Sequence, residues 1–229
     1  MSAMAPPVRI VIIAKAPQPG YAKTRLIPAL GAQGAAALAQ QMLCYAVHIA
    51  LQAGVGTVEL CAAPDRDDPA WAALALPSEL TWSDQGEGDL GERMARAAQR
   101  ALNRGESVLL IGTDCPQMDA SHLKGAATSL QTHHACLTPT LDGGYALLGL
   151  NQFHGSLFDD MPWSTAVVAA ETRRRAAAIS WTLHLMMTLR DVDEPDDLLA
   201  LPPGWIARPD FTPHPHSNPH PTLNTLEPS

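Results

Sequence analysis

Cysteine is scarce in this 229-residue chain, and the four present, Cys44, Cys61, Cys115 and Cys136, are widely spaced with no C-x-x-C pair. Such spacing excludes a zinc cluster built on paired thiolates and a disulfide framework. It reads as reduced thiols in a cytoplasmic setting. Basic residues are few as well, 15 Lys and Arg against 23 Asp and Glu, for a formal net charge of -8. Nucleic-acid binding over a broad face is therefore set aside, because it needs a basic surface. An anionic ligand remains possible only where cations or a metal ion gather locally. Uninterrupted apolar runs fall short of the roughly 18 residues a membrane span requires. The opening MSAMAPPVRI lacks the charged-then-apolar order of a signal peptide.

What the chain does have is alternation. Val8–Lys15 (VRIVIIAK) is a continuous β-branched run, as a strand covered on both faces should be. Residues 33–53 carry Leu38, Met42, Tyr45 and Ile49 at spacings of four, three and four, the stripe of an amphipathic helix. Further strands are expected at 57–63, 80–83, 107–114, 135–140, 145–150 and 181–187. Helices are expected within 88–105, after Asp119 or Ser121, over 164–179, and as a short piece over 194–201. The implied architecture is a Rossmann-like α/β fold, a mostly parallel central sheet with helices on both faces. In such sheets ligands sit at the carboxyl ends of the strands, which singles out four loops. The expected domain covers residues 1–201. Residues 202–229, proline-rich and aperiodic, read as a disordered tail, within which His214, His216 and His220 are solvated side chains before they are metal ligands.

The first loop, KAPQPGYAKTRL, superficially looks like a nucleotide-triphosphate P-loop. That motif needs glycine directly before the lysine, but here Gly20 lies three residues before Lys23, and Pro17 and Pro19 remove backbone donors. What remains is Lys15, Lys23 and Arg25 near a strand end: either a phosphate-binding set of point charge and fork, or a solvated basic loop. The second loop, LLIGTDCP, delivers Asp114, which suits a hard divalent cation and equally a turn or helix cap. In RDVDEPDDLLAL, Asp191 and Asp193 face the same way if extended, and either could share a cation with Asp114. The alternative is a turn entering a helix whose start favours Glu194, Asp196 and Asp197. In LDGGYALLGL, Asp142 before Gly143 and Gly144 fits a close approach to a ligand or a plain hairpin turn. Asp89 in GEGDLGERM sits at a helix start, where capping alone explains it. Cys115 has no histidine in a recognisable pattern beside it and reads as a packing residue.

Taken in order, KAPQPGYAKTRL, QGEGDLGERM, LIGTDCP, DGGYALLGL, the F-x-x-x-x-WST segment at 158–165 and DVDEPDDL form a set. The set resembles a bacterial glycosyltransferase-A-like family, the selenodomain-associated transferase type, of the nucleotide-diphospho-sugar transferase superfamily. The resemblance runs from about Val8 to Leu201. It implies an enzyme that binds a nucleotide or nucleotide sugar together with Mg2+ or Mn2+. On that implication Lys15, Gly20, Lys23, Arg25 and Asp89 hold the nucleotide and its phosphates, and Asp114 and Asp193 ligate the metal. Lys23 and Asp142 are then the catalytic candidates, while Asp142, Gly143, Gly144, Tyr145 and Trp163 face an acceptor, a small molecule or a glycan. The chain departs from family habit at two places. A single acid stands where many such enzymes carry D-x-D, and Lys-Ala-Pro-x-Pro-Gly replaces the glycine-rich G-x-G-x-R loop of sugar nucleotidyltransferases. AKTRL also resembles the start of phospholactate guanylyltransferases. The leading expectation is glycosyl transfer from a nucleotide-diphospho-sugar. The alternatives are nucleotidyl transfer with release of pyrophosphate, and a nucleotide-binding module without chemistry.

Overall fold

Residues 6–205 are described by a computed structural model. Seven strands form one sheet: β1 (Val8–Lys15), β2 (Gly56–Ala63), β3 (Thr81–Asp84), β4 (Ser107–Ile111), β5 (Ala135–Pro139), β6 (Tyr145–Leu150) and β7 (Leu183–Leu185). Their spatial order is β3-β2-β1-β4-β6-β5-β7. Only β6 runs against the rest, antiparallel to both β4 and β5, and every other pairing is parallel. Six carboxyl ends therefore share one edge. The β5–β6 hairpin turn joins them there, because β6 starts at that edge.

The continuous apolar strands separate two core layers by the strand's period of two. Ile10, Ile12, Leu60, Leu109 and Ile111 face the first layer. They meet Leu43, Ala46 and Val47 of helix α1 (Ile27–Ala53) and Leu123 and Ala126 of α4 (Ala120–Ser129). Val11, Val108, Leu110, Leu137 and Leu148 face the opposite layer. There they meet Met94, Ala97 and Ala101 of α3 (Leu90–Leu102) and Ala169 and Ala176 of α5 (Val168–Ala178). A one-turn helix, α2 (Pro69–Ala72), follows β2 and was not foreseen; Asp68 caps it, accepting from the Ala70 amide.

Several boundaries differ from expectation, each for a local reason. Helix α1 begins six residues earlier than the stripe suggested, with Pro28 in its first turn and a break at Gly31 (φ 69°). It is long and apolar enough to cross a membrane by length and composition, and ten of its residues are buried in the fold. β4 ends at Ile111 rather than Asp114, since the Gly112 amide pairs with Ala146 and the chain then leaves the sheet. α5 starts at Val168, four residues late, because the chain before it docks on the β5–β6 turn: the Ala169 amide donates to the Gly143 carbonyl. β7 keeps only three of seven expected residues, and residues 195–200 form a 3-10 helix. Trp205, beyond the expected end of the domain, is buried and packs edge-on to Tyr45, with centroids 4.9 Å apart. His214, His216, His220 and the rest of the proposed tail from 206 onward lie outside the described residues.

A charged cluster is buried among the apolar layers. Glu59 on β2, 2% exposed, accepts from Arg9 of β1, from Arg100 of α3 and from the Ser83 hydroxyl of β3. Arg9 also forks to Glu106. A carboxylate this buried is tolerable only when its lone pairs are filled.

Candidate active site

The loops at the shared carboxyl edge enclose a cleft of about 950 Å3. Every residue nominated from the sequence reaches it except Gly20 and Gly143. Those two serve backbone geometry. Gly20 adopts φ 82° in an open turn. Gly143 (φ 89°) lies so close to Ala166 that an added Cβ would sit 2.0 Å from its carbonyl oxygen.

On the β1 side, Lys15 ends the strand exposed and Arg25 is largely exposed, 3.8 Å from Glu194. Lys23 between them behaves differently. Its backbone is left-handed (φ 48°, ψ 46°) and its side chain only 7% exposed. The ammonium lies 2.5 Å from Asp114 Oδ1, 2.8 Å from Asp193 Oδ1 and 2.8 Å from the Val192 carbonyl. Burial by itself would lower its pKa, but Asp114 and Asp193 outweigh burial and hold the ammonium above its ordinary value. The two acids are delivered by separate loops tied together by the Val192 amide donating to the Asp114 carbonyl. The Asp193 loop is pinned further by Leu189 pairing with Pro139 and by Arg190 N–H donating to Gln117.

Asp142 holds the hairpin turn. Its Oδ1 accepts from the Thr140 hydroxyl at 2.5 Å and the Gly144 amide at 2.9 Å. Asp191 lies near enough for their charges to repel: burial first, then Asp142 and Asp193, push its carboxyl up to about 6. Among the described residues neither Asp142 nor Asp191 has a cation within ion-pair distance. Electrostatically this side of the cleft calls for further positive charge.

The opposite wall is aromatic and amide-rich. Trp163 meets Tyr145 edge to face at 6.3 Å. Among the described residues its indole N–H is buried without an acceptor, packed where a Cβ on Gly91 would come within 2.6 Å. The Tyr145 hydroxyl contacts the Met94 sulfur, and burial pushes its pKa up, so it presents a ring rather than an acid. Asp89 caps α3 in a reciprocal box with Glu92, its Oδ1 accepting from the Glu92 amide at 2.9 Å. Cys115 is buried and its thiol pushed up, first by burial and then by Asp114, which makes it a poor nucleophile.

Two lining residues lie in the QGEGDLGERM stretch without having been singled out as site candidates. Gln85, 3% exposed, donates to the carbonyls of Ala14 (2.8 Å) and Cys61 (3.0 Å), stitching β1 to β2 just below the cleft. Arg93 donates to the Gly88 carbonyl, and Arg96 to those of Gln85 and Glu87, so α3 holds the QGEG loop by its acceptors. Only the helical spacing of Arg93 and Arg96 hinted at this.

This sheet with its single reversed strand, carrying acids and cations along the carboxyl edge, has close structural counterparts. A Desulfovibrio desulfuricans G20 protein described as a "putative nucleotide-diphospho-sugar transferase" is 30% identical. It aligns over 83% of this chain and 84% of its own, with a TM-score of 0.76. CMP:2-keto-3-deoxy-manno-octonic acid synthetase complexed with CTP shares the fold at 12% identity (TM-score 0.51, 84% and 95% covered). So does 4-diphosphocytidyl-2C-methyl-D-erythritol synthase of Anaerococcus prevotii DSM 20548, at 8% identity (TM-score 0.55, 84% and 93% covered). The fold is that of the nucleotide-diphospho-sugar transferase superfamily. The chain belongs to the family described as "uncharacterized protein conserved in bacteria (DUF2064)", whose model matches residues 46–165. No curated protein matches it.

Proposed function

We propose that this protein is a transferase that takes a nucleotide-activated donor, and that it moves a glycosyl group from a nucleotide-diphospho-sugar to a small-molecule or glycan acceptor. The observation that carries the reading is the convergence in one cleft of exposed cations, Lys15 and Arg25, with an acid group wanting positive charge, Asp142 and Asp191 beside Asp114 and Asp193. The 30%-identical relative, of which the chain covers 84%, supports the same class.

The Mg2+ or Mn2+ that the family resemblance implies needs hard oxygen ligands. Asp114 and Asp193 offer hard carboxylate oxygens that both reach one ammonium nitrogen, so a single cation can touch both, and they fit a divalent ion once Lys23 gives way. Such an ion, when bound, supplies charge stabilisation to the departing diphosphate. The chain's own residues do the rest. Arg25 and Lys15 hold diphosphate oxygens at the open rim. Asp142 keeps Oδ1 committed to its turn and has Oδ2 left to take the proton of an acceptor hydroxyl. Trp163 and the Tyr145 ring form an apolar wall against a sugar or base and exclude water from that side.

Nucleotidyl transfer is the second reading. The single acid of Thr113-Asp114-Cys115-Pro116 and the AKTRL stretch favour it. Products separate the two: nucleoside diphosphate released from a panel of nucleotide sugars with Mn2+ supports glycosyl transfer, pyrophosphate released from nucleoside triphosphates the other. Asp114→Asn and Asp193→Asn should each cut turnover by about a hundredfold or more, measured on protein whose folding is checked separately, because each variant removes one of the two acids that compensate the buried Lys23. Unchanged turnover in both variants removes these two acids from the chemistry, and no turnover of any donor in either panel leaves a binding module.

A further inference from the structure

An ammonium group has three protons and no acceptor. In Lys23 all three are spent, on Asp114 Oδ1, Asp193 Oδ1 and the Val192 carbonyl. The group that the sequence offered to phosphate is therefore turned inward, through a left-handed backbone that a lysine seldom adopts. The oxygens it occupies are those a divalent ion would take. A side-chain ammonium and a metal ion cannot share the space between two carboxylates, since both the volume and the charge forbid it. Displaced from there, Lys23 needs another anion, and the cleft already exposes Lys15 and Arg25 at the rim where a diphosphate would lie. Among the described residues Asp142 and Asp191 have no cation within ion-pair distance, so this side of the cleft has room for further positive charge.

We propose that Lys23 is an internal stand-in cation: in the free protein it neutralises Asp114 and Asp193, and it is displaced by the divalent ion and taken up by the donor's diphosphate. The inference rests on the reading of those two acids as ion ligands. Its consequence is that the ion alone binds weakly, the diphosphate alone binds weakly, and each promotes the other by the same factor.

The test uses the full chain and Mn2+ alone, titrated by electron paramagnetic resonance of the free ion. Lys23→Met, of similar length without charge, should bind Mn2+ about tenfold tighter or more than wild type, and Lys23→Arg should stay within about threefold of it. Adding Asp114→Asn to Lys23→Met should remove the gain. Wild type binding Mn2+ as tightly as Lys23→Met, with both sensitive to Asp114→Asn, overturns the stand-in role and leaves the metal reading in place. Failure of both proteins to bind Mn2+ overturns the two together. Because Lys23→Met leaves two carboxylates facing each other and can fail to fold, wild type provides a second measurement. The protected Lys23 ammonium should give a slowly exchanging proton–nitrogen NMR signal that disappears at saturating Mg2+. Persistence of that signal at saturation contradicts the proposal.

Discussion

Gly91 and Trp163 show how one hydrogen in place of a methyl group shapes the candidate site. Gly91 opens the first turn of α3, and a Cβ there would lie 2.6 Å from Trp163 Nε1 and 2.7 Å from the Phe158 carbonyl. Alanine is a better helix former than glycine by about 0.8–1 kcal/mol, so propensity alone predicts stabilisation. The contact predicts the opposite, because neither the indole nor the backbone can retreat without opening the wall. Gly91→Ala should lower stability by about 1–3 kcal/mol and shift tryptophan fluorescence toward the solvent-exposed wavelength. A variant that melts at or above the wild-type temperature refutes the packing account. At the same scale, Asp142 and Asp89 each carry a structural duty on one oxygen, hairpin turn and helix cap, so their alanine variants mix folding with function. Asparagine is the cleaner probe at Asp142.

At the scale of elements, Glu59 is the joint that binds three neighbouring strands to α3. It reaches Arg9 on β1, Ser83 on β3 and Arg100 on the helix from a position 2% exposed. Burial opposes its ionisation, yet Ser83, Arg100 and Arg9 outweigh burial and hold its carboxyl below the usual range. Removing it would leave Arg9, itself buried, with Glu106 as its remaining carboxylate and the Thr81 hydroxyl as a further acceptor. Glu59→Ala should destabilise by about 3–5 kcal/mol, read by chemical denaturation, since breaking a buried pair strands the other charge. Replacing Arg9, Glu59 and Arg100 together by apolar residues of similar volume should cost much less. The elements were broadly legible in the residues. β-branched runs marked the strands, and Asp89 with Glu92 three residues on marked the start of α3. The edges were not. β7 is limited to Leu183–Leu185, and α5 began late because docking on Gly143 and Gly91 claimed the residues before Val168.

For the whole molecule, the shifted carboxylates give stability a pH dependence with two opposing signs. Glu59, Asp119 and Asp197 are all held low: burial pushes each up, but Arg100, Ser121 and the Glu194 amide, with other donors, outweigh it. Their contribution is complete above the ordinary carboxylate pKa near 4 and is lost as pH falls through their lower folded values. Asp191 works the other way. With its carboxyl pushed up to about 6 from 3.8, its charge is a cost to the fold above about 6, and the cost is relieved as pH falls toward 4. In chelator-treated protein, Asp191 should therefore favour the fold increasingly from pH 7.5 to about 5, against an opposing loss from His122, whose pKa burial holds below its ordinary value. The melting temperature should fall steeply below 4. Asp191→Asn should remove the first contribution and leave the fall below 4. Calorimetry showing the same profile between pH 7.5 and 5 for wild type and Asp191→Asn contradicts the assignment to Asp191.

The residues alone were sufficient for the strand–helix alternation, for the edge of the sheet where ligands lie, and for most members of the cleft. All of these follow from short-range signals: period, caps, turn formers and the charges placed just after a strand. Tertiary structure decided how those members are used. Lys23 meets Asp193 across 170 positions of chain, and only that meeting turns a candidate phosphate ligand into the partner of two acids. The same folding brings Gln85 under the ends of β1 and β2 and sets Asp191 against Asp142 without a cation. Charge compensation and desolvation depend on what lies within a few ångströms in space, and no local pattern in the chain records that.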